Sequence, residues 1–257
     1  MQHNRLSDNF DWPKGVARHI LETTDSTNAH ALRLAPMLAG PAWFMAYAQT
    51  NGRGRRARHW ISPRGNFYAS LILHPVDPID QVALRSFVAA LALRAAFVAL
   101  TGLPAAFALK WPNDVLLNGG KVAGILLESV GRAQGVAHLA VGMGVNLISA
   151  PDARSVEPGA VPPVSVLAET GLRIEPEVFL DTLAPAFARY EAVFTKLGFA
   201  PIRAEWLTHA ARLGEVIIAR TGTTTRTGTF QTIDEGGNLI LITALGPVAI
   251  PAAEVFF

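Results

Sequence analysis

Four arginines, Arg53, Arg55, Arg56 and Arg58, fall within six positions of the run QTNGRGRRARHW at 49–60. Guanidinium groups at that density can grip a carboxylate or a phosphate through paired, parallel hydrogen bonds. The segment Gly52 to Ala57 superficially matches the dinucleotide fingerprint G-x-G-x-x-[GA]. That fingerprint uses its glycines to bring a neutral backbone against pyrophosphate at a helix start. Here arginines fill the variable positions, and Trp60-Ile61-Ser62-Pro63 follows where an apolar helix would be needed. A flexible loop that closes on an anion suits the residues better. Taken alone, the run is equally well read as a solvated basic loop, or one touching RNA.

A second set is Lys110-Trp111-Pro112-Asn113-Asp114, followed by Asn118-Gly119-Gly120 and Lys121-Val122-Ala123-Gly124. Apolar runs on both sides of Asn-Gly-Gly predict a tight hairpin, since Asn and Gly tolerate the positive φ angles required. With a two-residue loop, at 118–119 or 119–120, strand parity puts Asp114 and Lys121 on the same face; a three-residue loop separates them. On one face, acid and amine would project together from rigid strands, a base for phosphate or metal chemistry. The plainer alternative is an ordinary ion pair at a sheet edge.

Other signals are weak singly. Ser26-Thr27-Asn28 precedes AHALRLAPML and reads as a helix cap. Gln49 reads as a polar strand end, and Gly142-Met143-Gly144-Val145-Asn146 as a strand with a bulge and a close backbone approach. No G-x-S-x-G or H-E-x-x-H occurs, and the seven histidines are scattered.

The elements that must position these residues follow from apolar patterning. Strands are expected at Trp43 to Gln49, Phe67 to Leu73 and His138 to Leu147, and helices at Ile79 to Leu100, Val178 to Lys196 and Ile202 to Ala211. Residues 149–163, with four prolines, read as a surface crossover. From Gly214 the texture changes to short strands (EVIIAR, TRTGTFQTI, NLILIT, PVAIPA), a small barrel docked on a larger domain. The domains are expected at 1–211 and 212–257.

The chain has 257 residues, half of them hydrophobic and 16% charged, so a large buried core is expected. It contains no cysteine, which removes disulfides, zinc–thiolate sites and thiol nucleophiles. The four loop arginines exceed the whole net charge of +2, so basicity is local and points to an anionic ligand. Charges and breakers interrupt the apolar stretch from Val82 to Leu109, and the N-terminus lacks an apolar signal core. A cytoplasmic protein with no membrane partner is expected.

Taken together, D-S-T-N at 25–28, Q-T-N-G-R-G-R-R-A-R-H-W at 49–60, K-W-P-N-D at 110–114, K-V-A-G-I-L-L-E at 121–128 and G-M-G-V-N at 142–146 resemble the biotin–protein ligases, from about residue 16 to the end of the chain. The resemblance implies an α/β fold: a mixed-sheet catalytic domain like that of class II aminoacyl-tRNA synthetases, plus a C-terminal SH3-like β-barrel. It implies activation of biotin with MgATP to biotinyl-5′-AMP, then acylation of one lysine of a biotin carboxyl carrier domain. By motif position, Ser26, Thr27, Asn28 and Gln49 would bind biotin, and Arg53, Gly54 and Arg55 would close over its carboxylate. Lys121 would hold the carboxylate–phosphate junction, sharing the nucleotide with Arg53, Arg55 and Asn146. Lys121, Arg55 and Asp114 are the expected catalytic residues, with Asp114 near Mg²⁺ or the incoming amine.

The physics agrees with this assignment. A carboxylate attacking an α-phosphate brings two anions together, so cations are needed, and the mixed anhydride must be shielded from water. Only 25 residues precede Ser26, too few for a three-helix DNA-binding domain, so a ligase without repressor activity or DNA partner is expected; a homodimer is allowed. Ala57 stands where the family's loop often has Gly. The rival readings are a lipoate- or octanoate-protein ligase of the same superfamily, a nucleic-acid-binding protein using the arginine loop, and an inactive biotin sensor.

Overall fold

In the computed structural model, described for residues 11–256 except 133, 134, 153, 155, 157, 158, 222, 223 and 252, two sheets carry the chain. The larger has seven strands: β1 (Ala17–Leu21), β2 (Ala42–Ala46), β3 (Phe67–Leu73), β4 (Phe107–Lys110), β5 (Asp114–Leu117), β6 (Gly120–Arg132) and β7 (Gly135–Val145), in the order β1-β2-β3-β7-β6-β5-β4. The β1–β2 pair is parallel and the other pairs are antiparallel, giving the expected mixed sheet.

Both faces are covered, so β2 is buried at every position. Alternation sorts the residues. Trp43, Met45, Leu71, Val141 and Ile125 join the main core, whose helices are α3 (Arg85–Thr101), α5 (Pro176–Leu197) and α6 (Phe199–Thr208). Phe44, Ile72 and Ala140 point the other way, packing with Ala31 and Ala35 under α1 (Thr27–Leu34). That second face carries the site.

The helix expected from Ile79 to Leu100 is two helices, α2 (Ile79–Val82) and α3. At the corner, Leu84, Ser86 and Phe87 donate to carbonyls three residues back, a tighter turn than α. The corner turns Arg85 inward, 2% exposed, where it meets Asp77 at 2.6 Å and Glu191 at 2.8 Å over the ring of Phe194. A buried guanidinium needs such partners, and that need outweighs continuous helix propensity. The stretch Ile79–Thr101 is long and apolar enough to cross a bilayer, but 67% of its most apolar window is buried inside the fold. The helix expected at Ile202 to Ala211 is α6, which starts and ends three residues earlier.

The hairpin has the two-residue form: Leu117 pairs with Gly120 across Asn118 (φ 50°) and Gly119 (φ 84°). The second sheet is antiparallel, β8 (Val216–Thr221), β9 (Thr224–Ile233), β10 (Leu239–Thr243), β11 (Gly246–Ile250) and β12 (Glu254–Phe256), ordered β11-β10-β9-β8-β12. Strand β12 was not anticipated from sequence. Trp111 Nε1 donates to the Gly237 carbonyl at 3.0 Å, and Arg203 to that of Ile233, joining this sheet to the larger unit.

Candidate active site

One row of the larger sheet sets out the site. Tyr68 pairs with Gly144, Gly144 with Gly124, Gly124 with Asp114 and Asp114 with Lys110, so five strands each present one residue on the same face. The next row holds Ser70, Gly142 and Leu126. Farther along, the α1 face is filled by Ile72 and Ala140; here the glycines leave a hollow. It is a cavity of about 560 Å³ lined by every residue expected at the site: Ser26, Thr27, Asn28, Gln49, Arg53, Gly54, Arg55, Asp114, Lys121 and Asn146.

The glycines of β7 do not form a bulge, since its pairing with β3 and β6 runs unbroken from Leu139 to Val145. Their role is clearance. A Cβ on Gly142 would lie 2.4 Å from Asn28 Oδ1, and one on Gly144 would lie 2.6 Å from the indole of Trp60.

At one end the cavity is neutral and hydrogen-bonded. Gln49 Oε1 accepts from the Thr27 backbone at 2.8 Å and its hydroxyl at 3.1 Å, while Gln49 Nε2 donates to Ser62 Oγ at 2.9 Å. Gln49 is thus a linker between α1 and the arginine loop rather than a polar strand end; β2 stops at Ala46. Ser70 Oγ lies 2.5 Å from Asn28 Oδ1 and 2.8 Å from Thr27 Oγ1. Asn28 Nδ2 donates to Leu126 O and Glu128 Oε2. Ser26 stands at the N-cap of α1, but its side chain makes no capping hydrogen bond.

The other end is charged. Lys121 Nζ lies 2.7 Å from Asp114 Oδ1, and Lys110 Nζ 3.8 Å from Oδ2. A register shift between Val115 and Leu116 in the β5–β6 pairing accompanies this approach, so the hairpin parity works with one irregularity. Burial opposes ionisation of Asp114, but Lys121, Lys110 and Arg55 outweigh it and hold the carboxyl below its ordinary range. Burial lowers Lys110, reinforced by Lys121 and Arg55 and only partly offset by Asp114. Burial likewise lowers Arg55, whose Nη1 donates to Asn113 Oδ1 at 3.1 Å.

The other loop arginines meet carboxylates: Arg53 with Glu128 at 3.4 Å, and Arg56 (3.1 Å) and Arg58 with Glu254 of β12. Asn146, just after β7, donates from Nδ2 to the carbonyl of Val164, the residue that follows the 149–163 crossover, at 3.0 Å. Three participants were missed from sequence. Glu254 sits on a three-residue strand far along the chain and gives no local signal. Lys110 was legible in K-W-P-N-D, by the parity that pairs it with Asp114. Trp60 closes the hollow, with Lys121 Nζ 5.5 Å from its ring centroid and its Nε1 buried without a partner.

For a metal, the donor set is thin. Among the described residues no three His, Cys, Asp or Glu side chains converge, and Asp114, the carboxylate between the strand cations, has two ammonium neighbours. A protein-built Mg²⁺ cage does not fit these residues. A Mg²⁺ carried on nucleotide phosphates, which supply most of its oxygen ligands, would need at most Asp114.

The chain is similar to known proteins over most of its length. The model of the biotin/lipoate A/B protein ligase family matches residues 21–146, and that of the biotin protein ligase C-terminal domain matches 213–257. The biotin–[acetyl-CoA-carboxylase] ligase of Paracoccus denitrificans is 60% identical over 238 residues, 93% of this chain and 99% of that protein. The bifunctional ligase/repressor BirA of Bacillus subtilis is 31% identical over 93% of this chain and 73% of its own length. Among solved structures, the biotin protein ligase of Aquifex aeolicus in complex with biotin and ATP superposes with a TM-score of 0.76 at 26% identity, covering 93% of this chain and 97% of that one.

Proposed function

The chain belongs to the biotin/lipoate A/B protein ligase family, and on that footing we propose that it is an ATP-dependent biotin–[acetyl-CoA-carboxylase] ligase, forming biotinyl-5′-AMP and passing biotin to a lysine of a biotin carboxyl carrier domain. The observation that carries the reading is the junction, in one cavity, of a neutral hydrogen-bonding end with an end holding Lys110, Asp114, Lys121 and Arg55. The neutral end, with Ser26, Thr27, Asn28 and Gln49, suits an uncharged ring bearing amide-like donors and acceptors. The charged end suits a carboxylate meeting a triphosphate.

In the first step a biotin carboxylate oxygen attacks the α-phosphorus and diphosphate leaves. Lys121 and Arg55 offset the repulsion between the two anions and stabilise the charge that builds on the phosphoryl oxygens. Arg53 and Gly54 cover the carboxylate, and Arg53 and Asn146 border the nucleotide. Trp60 walls the cavity, its indole lying over Gly144. In the second step the lysine amine attacks the acyl carbon and AMP leaves with the bonding electron pair, assisted by the same cations. Asp114, held ionised, is too weak a base to deprotonate an ammonium and acts by orienting the amine. A Mg²⁺ bound with ATP would neutralise phosphate charge, with Asp114 the residue placed to meet it.

We assign residues 1–211 to the catalytic domain and 212–257 to the C-terminal domain, and read the protein as a cytoplasmic enzyme without a DNA partner. The loop arginines face Glu128, Asn113 and Glu254 rather than forming a row for a phosphate backbone. A homodimer is compatible with this reading. Mass spectrometry after incubation with MgATP and either biotin or lipoate tests the proposal: retained biotinyl-AMP is expected with biotin alone, and lipoyl-AMP instead would overturn the assignment of the neutral end.

A further inference from the structure

A second cavity, of about 230 Å³, lies against the first and shares Arg55, Pro112, Asn113, Ile125 and Leu126 with it. The Arg55–Asn113 hydrogen bond stands in the shared wall. Its rim is exposed at Ala83, on the α2–α3 corner, at Gly236 in the turn between β9 and β10, and at Pro251 just after β11. Inside, Leu84, Phe87 and Trp111 are buried and apolar.

We propose that this cavity is the entrance through which the carrier's acceptor lysine reaches the activated carboxyl; the proposal rests on the ligase reading above. The large cavity must hold biotin and nucleotide together, so the nucleophile needs its own path. The second cavity ends at Arg55, one of the two cations placed at the reacting carboxyl. Its volume excludes a folded domain and admits a single side chain. The apolar inner walls suit four methylenes, and the polar end meets Asn113.

The location also solves the protonation problem that Asp114 cannot. An ammonium entering this slot loses solvation and approaches the positive charge of Arg55; both effects favour the neutral amine and oppose the pull of the Asp114 carboxylate. The proton passes to water at the rim. The neutral nitrogen then forms the amide bond, the acyl–oxygen bond to AMP breaks, and the second proton departs with the AMP phosphate or solvent.

The test places bulk on the rim, outside the reacting centre. Ala83→Trp should raise the KM for an acetyl-CoA carboxylase carrier domain by about tenfold or more, a loss of docking energy, with Ala83→Ser close to the parent. Pro251→Trp on the opposite rim should act in the same direction, and serves if the first variant folds poorly. Biotinyl-AMP formation, and its consumption by hydroxylamine, should stay at parental rates, because neither uses the entrance. An unchanged carrier KM in a variant that still forms biotinyl-AMP overturns the entrance, as does an equal loss with carrier and hydroxylamine. If the parent forms no biotinyl-AMP, the ligase reading itself has failed, and the entrance with it.

Discussion

Lys110, Asp114 and Lys121 stand on three neighbouring strands, each fixed by ladder pairing, with side chains that already meet in the absence of ligand. Arg53, Arg55, Arg56 and Arg58 stand on the loop between β2 and β3, whose turn at Arg55–Ala57 includes Arg56 at φ 56°. Three of these arginines hold protein carboxylates through pairs that are partly open to water, with Arg side-chain exposures of 39–55%. Exposed pairs of this kind contribute about 0–1 kcal/mol each, so a ligand's carboxylate or phosphate can draw Arg53 from Glu128 at little cost, while Glu254, with a side chain only 16% exposed, holds its two arginines more firmly. On the proposed reading, the strand cations are preorganised for the chemistry, and Arg53, Arg56 and Arg58 of the loop are exchangeable, Arg53 most readily, as a closing cover requires. Removing the strand cation Lys121 should damage the chemical step, whereas removing Arg55, which serves both the chemistry and the cover, should damage retention as well.

The largest effect is expected from Lys121→Ala. Loss of a preorganised donor at developing charge should slow adenylate formation by roughly 10²–10³-fold, while biotin binding, measured by calorimetry, persists through the neutral end. Single-turnover diphosphate release at the parental rate would remove Lys121 from the proposed role. Next comes Arg55→Gly. Biotinyl-AMP should leave about ten- to a hundredfold faster, matching the loss of a charge-assisted hydrogen bond, as followed by dilution and chase. Release no faster than the parent's would deny the loop a covering role.

Strand and loop also differed in how far they could be read from sequence. Asn118-Gly119 and the parity of the flanking strands put Asp114 and Lys121 on one face for a two-residue loop, the form the structure has, because both signals are local. The tertiary need of Arg85 for carboxylate partners broke the 79–100 helix, and no window of Ala and Leu reports that need. Gly142 and Gly144 were noticed, but their clearance for Asn28 and Trp60 depends on packing across the sheet. Glu254 was invisible, since its partners Arg56 and Arg58 lie almost two hundred positions away and its strand is three residues long. The motifs of the loop were legible as chemistry; their ligand-free partners were not.

A smaller effect should follow from Glu254→Gln, which removes the charge holding Arg56 and Arg58. Loosening two partly exposed pairs by about 1 kcal/mol in total should make tryptic cleavage within 50–63 about fivefold faster without ligand, with the difference closing once biotin and ATP are bound. Cleavage rates matching the parent's would mean that the loop's position owes nothing to the C-terminal sheet.

The finest distinction concerns two serines at helix starts. Ser165, before α4 (Val166–Thr170), accepts from Ala168 N at 3.3 Å; Ser26, before α1, makes no such bond. A capping serine contributes about 1 kcal/mol, so Ser165→Ala should lower stability by that order in chemical denaturation. Ser26→Ala should leave stability near the parental value, since the hydroxyl does not satisfy its helix. Its hydroxyl lines the cavity instead, and losing one neutral hydrogen bond should weaken biotin binding by about threefold. If Ser26→Ala instead lowers stability as Ser165→Ala does and leaves biotin affinity unchanged, Ser26 is a helix cap after all, and the neutral end must be rebuilt around Thr27, Asn28 and Gln49.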